Sequence, residues 1–179
     1  MNNTATTPHT RRYHRMDSPL STLSLVAEDG ALVGVYFEQH RHAPQRRAFG
    51  REVSAGDLQH HPVLASTRRQ LEEYFAGRRR DFDLCVSAEG SDFQRRVWSA
   101  LRDIPYGQTA SYGQLAARIG APKAARAVGL ANGRNPLSIV VPCHRVIGST
   151  GALTGYGGGA AHKQSLLDLE ASVCGASLW

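Results

Sequence analysis

The sequence predicts an α+β protein: a small N-terminal α/β unit over residues 17–88, then a mainly helical unit over residues 91–172. Three observations predict it. Between Leu20 and Val86 apolar residues fall largely in strand-like runs, with a single helical stretch among them. From Asp92 onwards the apolar spacing becomes three and four, which is the spacing of helices packed on one face. Charge changes at the same place. Residues 1–89 hold 12 Lys/Arg against 11 Asp/Glu, whereas residues 90–179 hold nine against four.

Residues 1–16 are polar and without period, so a disordered tail is expected there. The stretch lacks the apolar centre of a signal peptide, and no apolar run reaches the ~18 residues of a membrane helix. The three cysteines, Cys85, Cys143 and Cys174, are far apart and form no Cys-x-x-Cys pair. A reducing cytoplasm is therefore expected rather than a disulfide framework. Leu23, Leu25 and Ala31–Phe37 read as two strands, with Glu28-Asp29-Gly30 as the hairpin turn because Asp-Gly tolerates positive φ. His40 to Asp57 reads as a loop. The pairs His40/His42 and His60/His61 have no Cys or carboxylate ligands nearby and are expected to be surface histidines, so no metal is predicted. Leu64, Leu71 and Phe75 share a face of a helix that ends before Gly77. Arg78-Arg79-Arg80 reads as a solvated turn beside Asp81 and Asp83, and Phe82–Val86 alternates as a strand.

Residues 87–91 form the boundary. Asp92 is expected to N-cap a helix carrying Phe93, Val97, Trp98 and Leu101, with Trp98 in the core. Ser111 is expected to cap a second helix with Leu115, Ala116 and Ile119 inward and Gly120 at its end. Beyond Ala121-Pro122 a third helix, Lys123 to Ala131, would pack through Ala124, Ala127, Val128 and Ala131. Arg126 lies about 200° round that helix from Val128 and so faces solvent. Two short helices separated by Gly-Ala-Pro have the proportions of a helix-turn-helix. No acid occurs between Asp103 and Asp168, a window holding Arg118, Lys123, Arg126, Arg134, Arg145 and Lys163. A basic stretch free of acids is the footprint of a polyanion, and nucleic acid is the expected partner.

Chemistry concentrates in Ile139–Ile147, where apolar flanks hold Pro142, Cys143, His144 and Arg145 at the edge of a core. Pro142 interrupts regular structure and stiffens the approach to Cys143. A thiol becomes a strong nucleophile beside a base or cation, and His144 and Arg145 adjoin it. Side chains of neighbouring residues point apart, so a Cys143–His144 link needs a turn or a bridging water. Gly148 to Gly159 holds six glycines and reads as a loop whose backbone approaches a flat ligand closely. It lacks the βαβ setting of a dinucleotide site. A closing helix over Lys163, Leu166, Leu167 and Leu169 carries Glu170 near its C-terminal end, where a carboxylate opposes the helix dipole and so calls for a specific partner. Cys143, His144 and Glu170 have the logic of nucleophile, base and orienter.

Pro142-Cys143-His144-Arg145-Val146, with Asn135-Pro136 before it and Gly155-Tyr156-Gly157-Gly158 after it, resembles the active-site signature of the O6-alkylguanine-DNA alkyltransferases. The resemblance runs from about Asp92 to Glu170. It implies an RNase H-like N-terminal domain and a winged helix-turn-helix C-terminal domain. It implies direct reversal of damage in double-stranded DNA: an alkyl group passes from O6-alkylguanine, and from O4-alkylthymine, to Cys143 once per molecule, without a cofactor. His144 and Glu170 would activate the thiol through a water. Tyr112 would push the target phosphate and help protonate the leaving base, which is flipped out of the stack. Arg126 would fill the vacated space, with Lys123, Ala125, Gly129 and Arg134 also against DNA. Asn135, Val146, Tyr156, Gly157 and Gly158 would line the base pocket. A monomer that can cluster on DNA is implied. Gly157 stands where some members carry a hydroxyl residue, and no regulatory domain or N-terminal cysteine pair for zinc is present, so no transcriptional role is expected. Two rival classes remain on the residues alone. A Cys-His-Glu hydrolase leaves the basic helices without purpose, and a non-catalytic DNA-binding module leaves the poised thiol without one.

Overall fold

The computed structural model describes residues 10–175. A four-stranded sheet opens the chain: β1 (Arg12–Met16), β2 (Leu23–Glu28), β3 (Ala31–Phe37) and the short β4 (Arg51–Glu52), in the order β3-β2-β1-β4. The predicted hairpin forms β2 and β3, paired antiparallel, and its turn places Asp29 and Gly30 at φ 49° and 81°. A register shift between Val26 and Ala27 turns the strand over. It lets Leu32, Val35 and Phe37 join the main core while Tyr36 joins a small aromatic cluster with Tyr13, Val26 and Phe49 on the other face.

Expectations fail at several places in this half, the loop expected over His40 to Asp57 among them, since it contains β4. The tail expected over residues 1–16 is contradicted at residues 12–16, because Arg12–Met16 pairs with β2 along its whole length; residues 1–9 lie outside the described residues. Arginines at 12 and 15 hide the alternation, yet Tyr13 and Met16 are buried. The strand expected over Phe82–Val86 is an extended segment with a single bridge, Val86 to Leu32, carried by Leu32 N–H to the Cys85 carbonyl (2.8 Å) and Ser87 N–H to that of Leu32 (2.9 Å). Helix α1 (Pro62–Phe75) packs across β1–β3 and buries Leu64, Leu71 and Tyr74; Phe75, expected on that face, is only half-buried.

The second unit is α2 (Asp92–Leu101), α3 (Tyr112–Arg118), α4 (Ala125–Gly133) and α5 (Ala160–Val173), with a two-stranded parallel ribbon of β5 (Ala110–Ser111) and β6 (Val146–Ile147). The N-cap of α2 is Ser91, one residue before the expected Asp92, because Ser91 and Gln94 exchange both bonds of a capping box. Ser111 caps α3 through the same device with Gln114, and Gly120 ends the turn at φ 72°. Helix α4 starts at Ala125, so Lys123 sits in the preceding turn, and Ala127 faces solvent rather than the core. Trp98 is buried and donates to the Ala131 carbonyl at 2.9 Å. One apolar core runs through both units, from Leu23 and Leu71 to Val146 and Leu166. Residues 136–138 form its seam, with Val35 N–H on the Pro136 carbonyl (2.8 Å) and Ser138 N–H on that of Val35 (3.3 Å). No helix among the described residues is long and apolar enough to cross a membrane.

Candidate active site

The motif is deeper than the core-edge position expected of it: Cys143 is 2% exposed, His144 0% and Arg145 5%. The chain reaches it under strain. Ile139, β-branched and buried, holds φ 72°, a conformation costing about 1–2 kcal/mol for an L-residue. Val141 N–H on the Leu137 carbonyl (2.8 Å) closes this tight turn. Cys143–Arg145 then forms one 3₁₀ turn. The turn sends neighbouring side chains to different partners.

The sulfur accepts from Asn135. One amide nitrogen, Nδ2, lies 3.0 Å from Cys143 Sγ and 2.9 Å from the Val141 carbonyl, while Oδ1 accepts from Leu137 N–H at 3.0 Å. Asn135 thus both braces the turn and presents a donor that favours sulfur as a thiolate. Burial outweighs it and pushes the Cys143 thiol up to about 11, with Asn135 and Lys163 pulling the other way. At neutral pH the resting group is a thiol, and attack requires a base.

His144 Nε2 lies 2.8 Å from Glu170 Oε1. Burial raises the Glu170 carboxyl, but charge-assisted bonds from His144 and Arg145 overcome it and hold the group at about 2. An ionised Glu170 assigns the proton to Nε2 and leaves Nδ1 as the acceptor. Nδ1 has no hydrogen-bond partner among the described residues. Burial lowers the imidazole against the pull of Glu170, so it rests neutral and ready to take a proton. Arg145, placed by sequence in the DNA-facing window and beside the thiol, faces neither. Its Nε and Nη2 reach Glu170 at 2.9 and 3.0 Å, and its Nη1 reaches the Ile104 carbonyl at 2.7 Å.

Lys163 corrects the sequence reading in the same way. It is fully buried, and its ammonium donates to the carbonyls of Val146 and Thr154. Burial pulls it down to about 8 while the neighbouring Cys143 raises it, so sulfur and ammonium are within electrostatic reach. A lysine four residues into a helix gave no sign of burial in sequence. Asn132 was missed as well: fully buried on α4, its Nδ2 reaches the Cys143 carbonyl (3.2 Å) and the Gly155 carbonyl (2.9 Å). It ties helix, thiol segment and glycine loop together, and an Asn at the end of an Ala/Gly/Leu helix was its one available signal.

Tyr112 lies against Gly129, where an added Cβ would come 3.7 Å from its ring, and its hydroxyl donates to the Thr154 carbonyl. Val146 and Tyr156 are buried, the Tyr156 ring standing edge-on to His144 at 6.5 Å. Gly157 and Gly158 lie against the N-terminal unit: Arg41 N–H donates to the Gly157 carbonyl (2.9 Å), and a Cβ at Gly158 would lie 2.6 Å from the Phe37 ring. Here the missing side chains make room for His40 and Phe37. On the outer face, Arg118, Lys123, Arg126 and Arg134 are exposed, Ala125 and Gly129 half-exposed. The basic window therefore presents four of its six cations. Among the described residues no three His, Cys, Asp or Glu side chains gather as a metal site.

Two family models match. The 6-O-methylguanine DNA methyltransferase ribonuclease-like domain covers residues 11–88, and the DNA binding domain of the same enzyme covers residues 92–172. A methylated-DNA–protein-cysteine methyltransferase of Mycolicibacterium paratuberculosis is 49% identical over 166 residues, 93% of this chain and 96% of that protein. The crystal structure of Mycobacterium tuberculosis O6-methylguanine methyltransferase superposes with TM-score 0.80 at 46% identity, covering 90% of this chain and 93% of that one. A crystal structure of the Mycobacterium tuberculosis protein in complex with DNA gives 0.82 at 46% identity, covering 90% and 94%. With both domain models matched in order around the buried Pro-Cys-His-Arg turn, the chain belongs to the O6-alkylguanine-DNA alkyltransferases, methylated-DNA–protein-cysteine methyltransferases that repair DNA by moving an alkyl group onto a cysteine of their own.

Proposed function

We propose that Cys143 is the alkyl acceptor for O6-alkylguanine, and for O4-alkylthymine, in double-stranded DNA. The observation that carries this is the division of labour at the 3₁₀ turn: sulfur held by Asn135, imidazole polarised by an ionised Glu170. Sγ attacks the alkyl carbon, a C–S bond forms and the C–O6 bond breaks. The thiol proton passes towards His144, and the departing guanine, which keeps the electron pair, takes a proton with help from Tyr112. The product is a thioether, which has no electrophilic carbonyl for water to attack, so each molecule acts once. A Cys-His-Glu hydrolase would instead turn over its acyl adduct, and it leaves the exposed Arg118, Lys123, Arg126 and Arg134 without a purpose. Both bonds are exchanged between substrate and thiol, and no cofactor or metal enters the balance.

The lesion has to leave the duplex to meet a buried sulfur. Arg126, exposed on α4, would enter the stack, and Lys123, Arg134, Ala125 and Gly129 would follow the backbone. Asn135, Val146, Tyr156, Gly157 and Gly158 would surround the base, and the Tyr112–Thr154 bond would open as the tyrosine turns to the phosphate. The protein would act as a cytoplasmic monomer, clustering on DNA. Replacing His144 by Ala tests the assignment. Transfer from an alkylated duplex should slow by about 10²–10⁴-fold, and an unchanged rate across pH 6–9 ends it.

A further inference from the structure

The carboxylate that orients His144 is not served by its own domain alone. Tyr74 of α1, 96 residues away and fully buried, donates its hydroxyl to Glu170 Oε1 at 2.8 Å. That oxygen also meets His144 Nε2 at 2.8 Å and Arg145 Nη2 at 3.0 Å. The other oxygen, Oε2, accepts from Arg145 Nε and from Gly107 N–H, both at 2.9 Å. An sp² oxygen has two lone pairs. Oε1 already serves four donor atoms, Arg145 Nε at 3.2 Å being the fourth, so each competes for density with the others.

We propose that Tyr74 is a positioning residue for alkyl transfer, supplied by the N-terminal unit, whose hydroxyl limits how strongly Glu170 binds the His144 imidazole. The inference rests on His144 acting as the base. With the hydroxyl in place the imidazole is oriented without becoming so basic that it stays protonated. Without it, Oε1 turns more fully to His144 and favours the imidazolium. Tyr74 keeps its proton throughout, because burial and the neighbouring Glu170 raise it well above the usual tyrosine range. Its ring is held by Phe75, Phe82 and Tyr106 at centroid distances of 5.5, 5.6 and 6.0 Å, so the hydroxyl has a fixed aim.

Other charged and titratable groups surround the pair. His144 also faces Arg145 and Lys163. Tyr106 is within electrostatic reach of Glu170, Cys174, Arg145 and Arg80, and both guanidiniums stand over its ring. Lys163 and Cys143 titrate at about 8 and about 11. The acid side of the profile is therefore left to His144.

The experiment is the pH dependence of single-turnover transfer from an O6-methylguanine duplex, measured on the full chain. Wild type should lose rate on the acid side, and His144→Ala should remove that limb; if it does not, the base assignment itself fails. Given that limb, Tyr74→Phe, which keeps the ring, should move it up by about one pH unit, the size of a charged hydrogen bond. The rate at pH 8.5 and the affinity for undamaged duplex should stay near wild type. A uniform loss at every pH with the limb unmoved assigns Tyr74 a structural role and overturns the proposal. Should the phenylalanine variant not fold, 3-fluorotyrosine at position 74 is a stronger donor and should move the limb down; an unmoved limb there overturns it equally.

Discussion

Arg145→Met is the sharpest test of how the active site is held. The guanidinium lies against Glu170, 0% exposed, at 2.9 Å, and removing it leaves a buried carboxylate with only neutral donors. Breaking a buried ion pair from one side costs about 3–5 kcal/mol. At roughly 2–4 °C per kcal/mol for a chain of this size, the melting temperature should fall by roughly 10 °C. The double variant R145M/E170Q removes the stranded charge and should melt above R145M. The acid side carries a second signature. Glu170 is depressed from 4.5 to about 2, so its contribution to stability is fully present above pH 4.5 and is lost as pH falls through about 2. Without Arg145 its pKa rises, and acid unfolding of R145M should begin at higher pH than in wild type. Thermal melts followed by circular dichroism between pH 3 and 8 read all three. Melting of R145M within about 2 °C of wild type would refute the buried pair as an anchor.

Further outcomes follow from the same geometry. Thiol titration with an aromatic disulfide should label the exposed Cys85 and Cys174 rapidly and Cys143 at least ~100-fold more slowly, since its thiol is buried and raised to about 11; equal rates would mean the turn opens freely. Affinity for undamaged duplex should fall with salt at a log–log slope of about 2.7, from the exposed Arg118, Lys123 and Arg134 at about 0.9 per phosphate. Lys163→Met should leave that slope unchanged, because its ammonium is buried on Val146 and Thr154; a lower slope would place it on the DNA after all. Arg126→Lys should bind undamaged duplex almost normally yet repair duplex lesions much more slowly, with the free alkylated base repaired as before. Repair of duplex at the wild-type rate would reduce Arg126 to a phosphate contact.

What could be read from sequence was local. The Asp29-Gly30 turn, the Ser111 cap and the inward Trp98 each follow from residues within a turn or two of one another. Strand β1 escaped because Arg12 and Arg15 break the apolar pattern, although the pairing with β2 satisfies the backbone regardless. Phe82–Val86 had the pattern, but it meets β3 at the single Val86–Leu32 bridge and builds no ladder. In the site, the types at Cys143, His144 and Glu170 were legible, and their assembly follows from α5 returning past the 3₁₀ turn. Lys163 and Arg145 were misplaced for one reason. A cation's sequence shows its charge and not whether it faces water, and both are buried by contacts 9 to 41 residues distant. Tyr74 was beyond reach of local reading, since its bond to Glu170 crosses from one unit to the other.

The central claim is that one buried thiol out of three takes the alkyl group, and peptide mapping tests it most directly. The full chain is incubated with duplex carrying O6-methylguanine, digested and examined by mass spectrometry. A single methyl, about 14 Da, is expected on the peptide holding Cys143, stable to prolonged incubation and absent in Cys143→Ser while duplex binding persists. A methyl on Cys85 or Cys174, or an adduct that disappears with time, would contradict the account.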